Sequence, residues 1–269
     1  MQEPGLRGNV QDETVLRAPG PPAPGLPAPG LPAPRLRSVG RTHVGLVRKH
    51  NEDSLLERPD IGLWMVADGM GGMTAGEVAS QAIVAALGGI AGPLDAPALT
   101  AEIRGRLDAV NTGLLGLAAR RGPGTVIGST VAGLVVREGH FACFWAGDSR
   151  VYRFRAGELD QLTRDHSLVQ DMVDAGLLRP EDAERHPQAS VIQRAVGVDD
   201  GIELDWVHAP VEPGDVFLLC SDGLTRMVRD EELEQALGRG PIEEVCPALI
   251  ALTLERGAKD NVTVVLVAA

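Results

Sequence analysis

Aromatic residues make up only 3% of this 269-residue chain, so any core has to be built from Val, Leu, Ile and Ala. At 44% hydrophobic residues there are enough of these to build one. Cysteine is almost as scarce. Cys143, Cys220 and Cys246 are scattered and odd in number, which argues against a disulfide framework or a zinc site and for small buried hydrophobes in a reducing compartment. No apolar run approaches the roughly 20 residues that span a bilayer. The opening MQEPGLRGNVQDET lacks the apolar segment of a secretory signal. Positive charge is in deficit, with 25 Lys and Arg against 37 Asp and Glu and a formal net charge of -12. Nucleic-acid binding depends on neutralising phosphates with Lys and Arg, so this balance argues against it. The expectation is a soluble cytoplasmic protein with neither membrane nor nucleic acid as partner.

Residues 1–38 stand apart. The near-repeat APGPPAPGLPAPGLPAPRL has few groups able to form a core and favours polyproline II or disorder. From residue 39 to 269 the pattern is that of a globular domain. LWMVA, TVAGLVV, HFACFWA, VYRF, DVFLLC and NVTVVLVA read as short buried strands bounded by Gly, Asp or Pro. Helices are expected at 76–90, 99–119, 166–176, 230–238 and 242–256. Strands neighbour strands and helices neighbour helices, which indicates α+β layering, with helices able to cover both faces of a two-sheet sandwich.

The acids sit in a recurring place. WMVA runs into Asp68-Gly69, FACFWA into Gly147-Asp148-Ser149, and VFLLC into Ser221-Asp222-Gly223, while Asp260-Asn261 opens onto VTVVLV. Four times a carboxylate stands where a buried strand meets a turn. If those strand ends share a rim, the acids gather, and gathered carboxylates repel and raise one another's pKa. A hard divalent cation turns such a cluster into a ligand set, and an all-oxygen set suits Mg²⁺ or Mn²⁺. A further pair, Glu52 and Asp53 in RKHNEDSLL, would face opposite ways on a strand. Arg48, on the same extended face as Glu52, could grip a phosphate bidentately.

Taken together, RKHNEDS, VADGMGGMTAGEVAS, GSTVAG, WAGDSRVYR, LTRDHSLVQDMVDAG, IQRAVG, LLCSDGL and AKDNVTVV resemble the metal-dependent protein serine/threonine phosphatases of type 2C in their bacterial form. The resemblance runs from about residue 40 to the C-terminus. It implies a four-layer αββα sandwich with two central antiparallel sheets, holding two Mn²⁺ or Mg²⁺ ions and a weaker third. It implies Asp68 bridging both ions, a ligand from the Gly69 carbonyl, Asp222 and Asp260 completing one ion, Glu52 supporting the other, Asp53 orienting water, Asp148 serving the third ion, and Arg48 holding the substrate phosphate. The segment at about 165–190 would be a flap. The histidines read mostly as surface or structural residues, and His166, at the start of that segment, is the only candidate for a place near substrate. The implied reaction is hydrolysis of phosphoserine and phosphothreonine on proteins by water activated at the metal pair, opposing bacterial Ser/Thr kinases, by a monomer.

Two positions depart from the pattern. Met70 stands where animal members of the family place a histidine thought to protonate the leaving group, and Arg226 stands where many relatives have an acidic or amide residue beside the third ion. Two other readings compete. CSDGLTR, residues 220–226, fits the phosphate loop of cysteine-dependent phosphatases, with Cys220 as nucleophile and Arg226 as anion grip. A non-catalytic binding module of the same fold is the other, and it is disfavoured because every core acid is present.

Overall fold

The computed structural model describes residues 36–71, 75–183 and 185–269. The Pro/Ala/Gly-rich segment up to residue 35 and the glycine-loop residues 72–74 lie outside the described residues.

The apolar runs form strands almost where the sequence places them. One sheet has the order β1 (Arg37–His43), β11 (Val262–Ala268), β10 (Val216–Cys220), β7 (Arg150–Arg155), β8 (Glu158–Gln161). The other runs β2 (Asp53–Arg58), β3 (Leu63–Gly71), β5 (Val131–Arg137), β6 (His140–Ala146), β9 (Asp205–Pro210), with β4 (Ile127–Ser129) pairing the end of β3. All the pairings are antiparallel. Because each central strand is covered on both faces, it reads as a continuous apolar run instead of an alternating one.

The helices supply the outer layers. α1 (Ala75–Gly88) and α2 (Ala96–Arg121) pack on the β3 side through Ile83, Leu87, Leu99, Ile103 and Leu107. The start of α2 is fixed by Asp95, whose side chain accepts from the Ala98 amide, and its last turn carries Arg120 and Arg121 against the carbonyl end of the helix dipole. α6 (Asp230–Leu237) and α7 (Ile242–Glu255) cover the other sheet through Leu233, Ile242, Val245 and Leu249. The third cluster lies between the sheets: Trp64 and Val66 from β3, Leu134 from β5, Phe217 and Leu219 from β10, and Val265 and Val267 from β11. The architecture is the expected αββα sandwich. Among the described residues no helix is long and apolar enough to cross a membrane.

Between β8 and β9 the chain makes a long excursion carrying two short helices, α3 (Leu168–Asp174) and α4 (Pro180–Ala183). Its base is closed by backbone bonds, Leu168 N–H to Val191 O at 3.0 Å and Gln193 N–H to His166 O at 2.8 Å. The excursion therefore returns beside its own start, at one end of the inter-sheet space.

Candidate metal centre

The inter-sheet face changes character at a single register. Strand side chains on one face recur every second residue, so the position two beyond each inward apolar residue also points between the sheets. Beyond Val66 that position is Asp68, beyond Leu219 it is Ser221, before Val265 it is Thr263, before Ala132 it is Thr130, and before Val151 it is Ser149. On β2 the equivalent is Asp53, directly opposite Asp68 in the antiparallel ladder. A polar layer thus caps the apolar one, carried by the same strands.

Each member of the layer is held. Asp53 Oδ2 accepts from Ser221 Oγ and Thr263 Oγ1, both at 2.7 Å. The Asp68 backbone amide donates to Thr130 Oγ1 at 2.9 Å, and the Asp68 carbonyl accepts from the Thr130 amide and from Ser129 Oγ. Thr130 and Ser149 hydroxyls meet at 2.8 Å. Gly69 and Gly76 touch backbone to backbone: a Cβ on Gly69 would lie 2.1 Å from the Gly76 carbonyl oxygen, and one on Gly76 would lie 2.8 Å from Glu52 Oε1. The glycines after Asp68 therefore let the start of α1 close on the strand end.

Around this layer lies a cavity of about 230 Å³ lined by Arg48, Glu52, Asp68, Gly69, Asp148, Asp222, Arg226 and Asp260, with Met70, Ser190 and Ile192 on its walls. The carboxylates feel one another. Burial raises the pKa of Asp68 well above the ordinary range, and the charges of Asp53, Asp222, Asp148 and Asp260 raise it further. Burial pushes Asp148 up to about 8, with Asp222 and Asp165 adding to the shift. Asp53 rises to about 7, mainly through burial, which outweighs its two hydroxyl hydrogen bonds. Asp222 is raised by burial, with Arg226 pulling it back.

Among the described residues, no three Asp, Glu, His or Cys groups form a ready-made cage. Arginines engage two of the acids instead. Arg48 Nη2 lies 2.8 Å from Asp260 Oδ2, and Arg226 Nη2 lies 2.6 Å from Asp222 Oδ2. The donor set nevertheless fits hard divalent ions. It is all oxygen, Asp53 and Asp148 are buried with the other acids half-buried beside them, and Asp53 Oδ1 and Asp148 Oδ1 have no hydrogen-bond partner.

The structure brings Arg48, Glu52, Asp68, Gly69, Asp148, Asp222 and Asp260 to one cavity, with Asp53 directly behind Asp68. It differs from the sequence expectation at Arg48, and it decides two open readings, those of His166 and Cys220. Residues 44–50 form turns and bends, not an extended strand, so Arg48 reaches the cavity because its loop folds over Asp260. His166 is not at the cavity. It is 3% exposed, stacked on Trp145, accepting from the Gly147 amide and contacting Asp205 at 3.2 Å. Burial lowers its pKa, so it serves as a neutral bracket between the excursion and the Asp148 turn. Cys220 is fully buried on the opposite face of β10, among the residues under α6 and α7, where burial pushes its thiol pKa up. It cannot be a nucleophile for this cavity.

Asn261, beside Asp260, makes four bonds. Its side chain accepts from the Glu52 amide and donates to the carbonyls of Val44 and His50, and its own amide donates to Asp260 Oδ1. It knits the Arg48 loop, Glu52 and Asp260 into one unit. Ser221 and Thr263 were missed, although the period-two step beyond Leu219 and Val265 could have pointed to them.

The chain is similar to known proteins over most of its described length. Residues 39–259 match the family model described as Protein phosphatase 2C. The chain is 38% identical over 231 residues to the serine/threonine protein phosphatase PstP of Mycobacterium tuberculosis, covering 86% of this chain and 44% of that protein. It thus spans less than half the length of that relative. Among solved structures, PppA of Pseudomonas aeruginosa superposes with a TM-score of 0.81 at 44% identity, covering 87% of this chain and 97% of that one. The catalytic domain of PstP in complex with two manganese ions superposes with a TM-score of 0.77 at 36% identity, over 87% of this chain and 97% of that one.

Proposed function

The chain belongs to the protein phosphatase 2C family, and on that premise we propose that it hydrolyses phosphoserine and phosphothreonine esters on proteins with the help of two Mn²⁺ or Mg²⁺ ions. The observation that carries this reading is that the charges of Asp53, Asp148, Asp222 and Asp260 all act on Asp68 at the cavity floor. Asp68, the Gly69 carbonyl, Asp222, Asp260 and Glu52 would hold the ions, Asp53 would support them from behind, and Asp148 stands at the outer wall. When bound, such a pair lowers the pKa of water and neutralises phosphoryl oxygens.

The protein's own groups do the rest. Before substrate arrives the Asp53 carboxylate is fixed by two hydroxyls and the Asp68 backbone by Thr130 and Ser129, so the inner wall of the site is preorganised. Arg48, half exposed at the rim, keeps its guanidinium within reach of the cavity and can share its fork between Asp260 and the incoming phosphate. The Asn261 network keeps the Arg48 loop aligned with Asp260 while that exchange occurs. Met70 has no proton to give, so the leaving oxygen must take its proton from water or another group at the cavity.

The phosphoprotein substrates would be products of Ser/Thr kinases, and the chain's role would lie in cytoplasmic signalling. The test is hydrolysis of phosphoserine, phosphothreonine and phosphotyrosine peptides after chelation. Activity on the first two should disappear with chelator, return with Mn²⁺ and survive iodoacetamide. Full activity in chelator, or loss to iodoacetamide alone, would overturn the reading.

A further inference from the structure

Arg226 follows α5 (Asp222–Thr225) as its C-cap and is the side chain that both cavities at this end share with Asp148 and Asp222. Beyond Asp148 lies a second, smaller space of about 60 Å³, lined also by Arg150 and Asp165. Arg150 is already committed there. Its guanidinium forks onto both oxygens of Asp165 and reaches the Tyr152 hydroxyl at 3.0 Å. Arg226 is different. Its Nη2 sits 2.6 Å from Asp222 Oδ2 and 3.3 Å from Ser190 Oγ, on the returning limb of the α3–α4 excursion. It is therefore the positive charge that faces the wall formed by Asp148 and Asp222, and it ties that wall to the segment that closes over it.

We propose that the Arg226 guanidinium is a built-in cation for the Asp148–Asp222 wall, so that this chain takes up two divalent ions and no third. The inference rests on the two-ion reading above. An ion at that wall would have to share Asp222 Oδ2, which Arg226 Nη2 already meets at 2.6 Å, whereas the core pair would use the other Asp222 oxygen. A second unit charge about 4 Å from the first lowers affinity on the order of 10³-fold at the effective dielectric of a protein surface, and a divalent ion suffers more. Asp148 then has no metal to hold. Its role becomes electrostatic, as part of the negative wall that orients Arg226 toward Ser190. Arg226 is accordingly a positioning residue that sets metal stoichiometry.

The experiment is an ion count on the full chain by equilibrium dialysis and titration calorimetry against Mn²⁺ alone, with circular dichroism to establish folding. The wild type should saturate at two ions. Arg226→Gln, which removes the charge and keeps much of the length, should saturate at three, as should Arg226→Asn if the first variant folds poorly. Adding Asp148→Asn to either should return the count to two. A wild-type count of three overturns the proposal without any variant. A count of two in folded Arg226→Gln and Arg226→Asn overturns it as well, and a double variant that still takes three overturns the assignment to Asp148. A wild type that binds no Mn²⁺ removes the two-ion reading itself and this proposal with it.

Discussion

Two layers of the inter-sheet space, one above the other on the same strands, are built by opposite rules. In the lower layer Trp64, Val66, Phe217, Leu219 and Val265 are buried against one another and gain by leaving water. In the upper layer, one step of two residues away, Asp53, Ser221 and Thr263 are buried just as deeply and Asp68 is half-buried beside them, but they gain only through specific partners. The lower layer holds the sheets together, and the upper layer is held in place by them. Stability and chemistry are thereby assigned to different rungs of one ladder.

The sharpest way to break this division is to change one residue in each layer. Asp68→Asn should reduce kcat/KM by about 10³-fold or more while the fold survives, because an amide of the same shape removes one of several mutually repelling charges. Circular dichroism and phosphopeptide kinetics read both outcomes, and a variant with near wild-type turnover would take Asp68 out of the ligand set. Phe217→Ala should do the reverse. It should cost roughly 3–5 kcal/mol of stability by opening a cavity where Phe217 meets Phe141, their ring centroids 4.9 Å apart, while kcat per folded molecule stays unchanged. A loss of kcat at full folding would show that the two layers are not separable.

Arg48 tests the rim of the upper layer. Arg48→Ala should lower kcat/KM by about 10- to 100-fold, corresponding to the loss of a charge-assisted bond worth about 1.5–3 kcal/mol. Most of that change should fall on KM. A fall confined to kcat would contradict a phosphate-binding role.

The smallest effect is thermal. Asp53 and Asp148 are raised to about 7 and about 8 by burial, whereas unfolded aspartates ionise near about 3.9. Between those values the folded chain binds more protons than the unfolded one, so stability falls as pH rises through the window. The Tm of the metal-free protein should be lower at about pH 8 than at about pH 5, and Mn²⁺ should raise it more at the higher pH. A metal-free Tm that climbs across this range would mean the upper layer carries no such strain.

What the sequence made legible follows from the same two layers. Apolar runs ending in Asp68, Asp148 and Asp222, and beginning at Asp260, are local signals, so both the αββα arrangement and most of the acids could be read directly. The other features depend on contacts between distant segments. Arg48 reaches the cavity through a turn that Asn261 organises from more than 200 residues away. The base of the α3–α4 excursion pairs residues 166–168 with residues 191–193, and nothing in either stretch names the other. β9 (Asp205–Pro210) escaped notice because it is an edge strand with a proline end and a half-exposed face. β1, partly exposed at an edge of the other sheet, begins at Arg37, inside what composition alone assigned to the tail.

Asp53 faces Asp68 across the first of six paired rungs in the β2–β3 hairpin. Backbone pairing permits only whole-residue shifts, and each shift turns every side chain over. Loss of a single residue between Ser54 and Arg58 would send the Asp53 carboxylate toward α1 and leave Ser221 and Thr263 without their acceptor. The spacing of an unreactive hairpin is thus the gauge that sets the distance between two reactive carboxylates. An indel there should silence the protein as thoroughly as removing a carboxylate, even though no group that touches phosphate has changed.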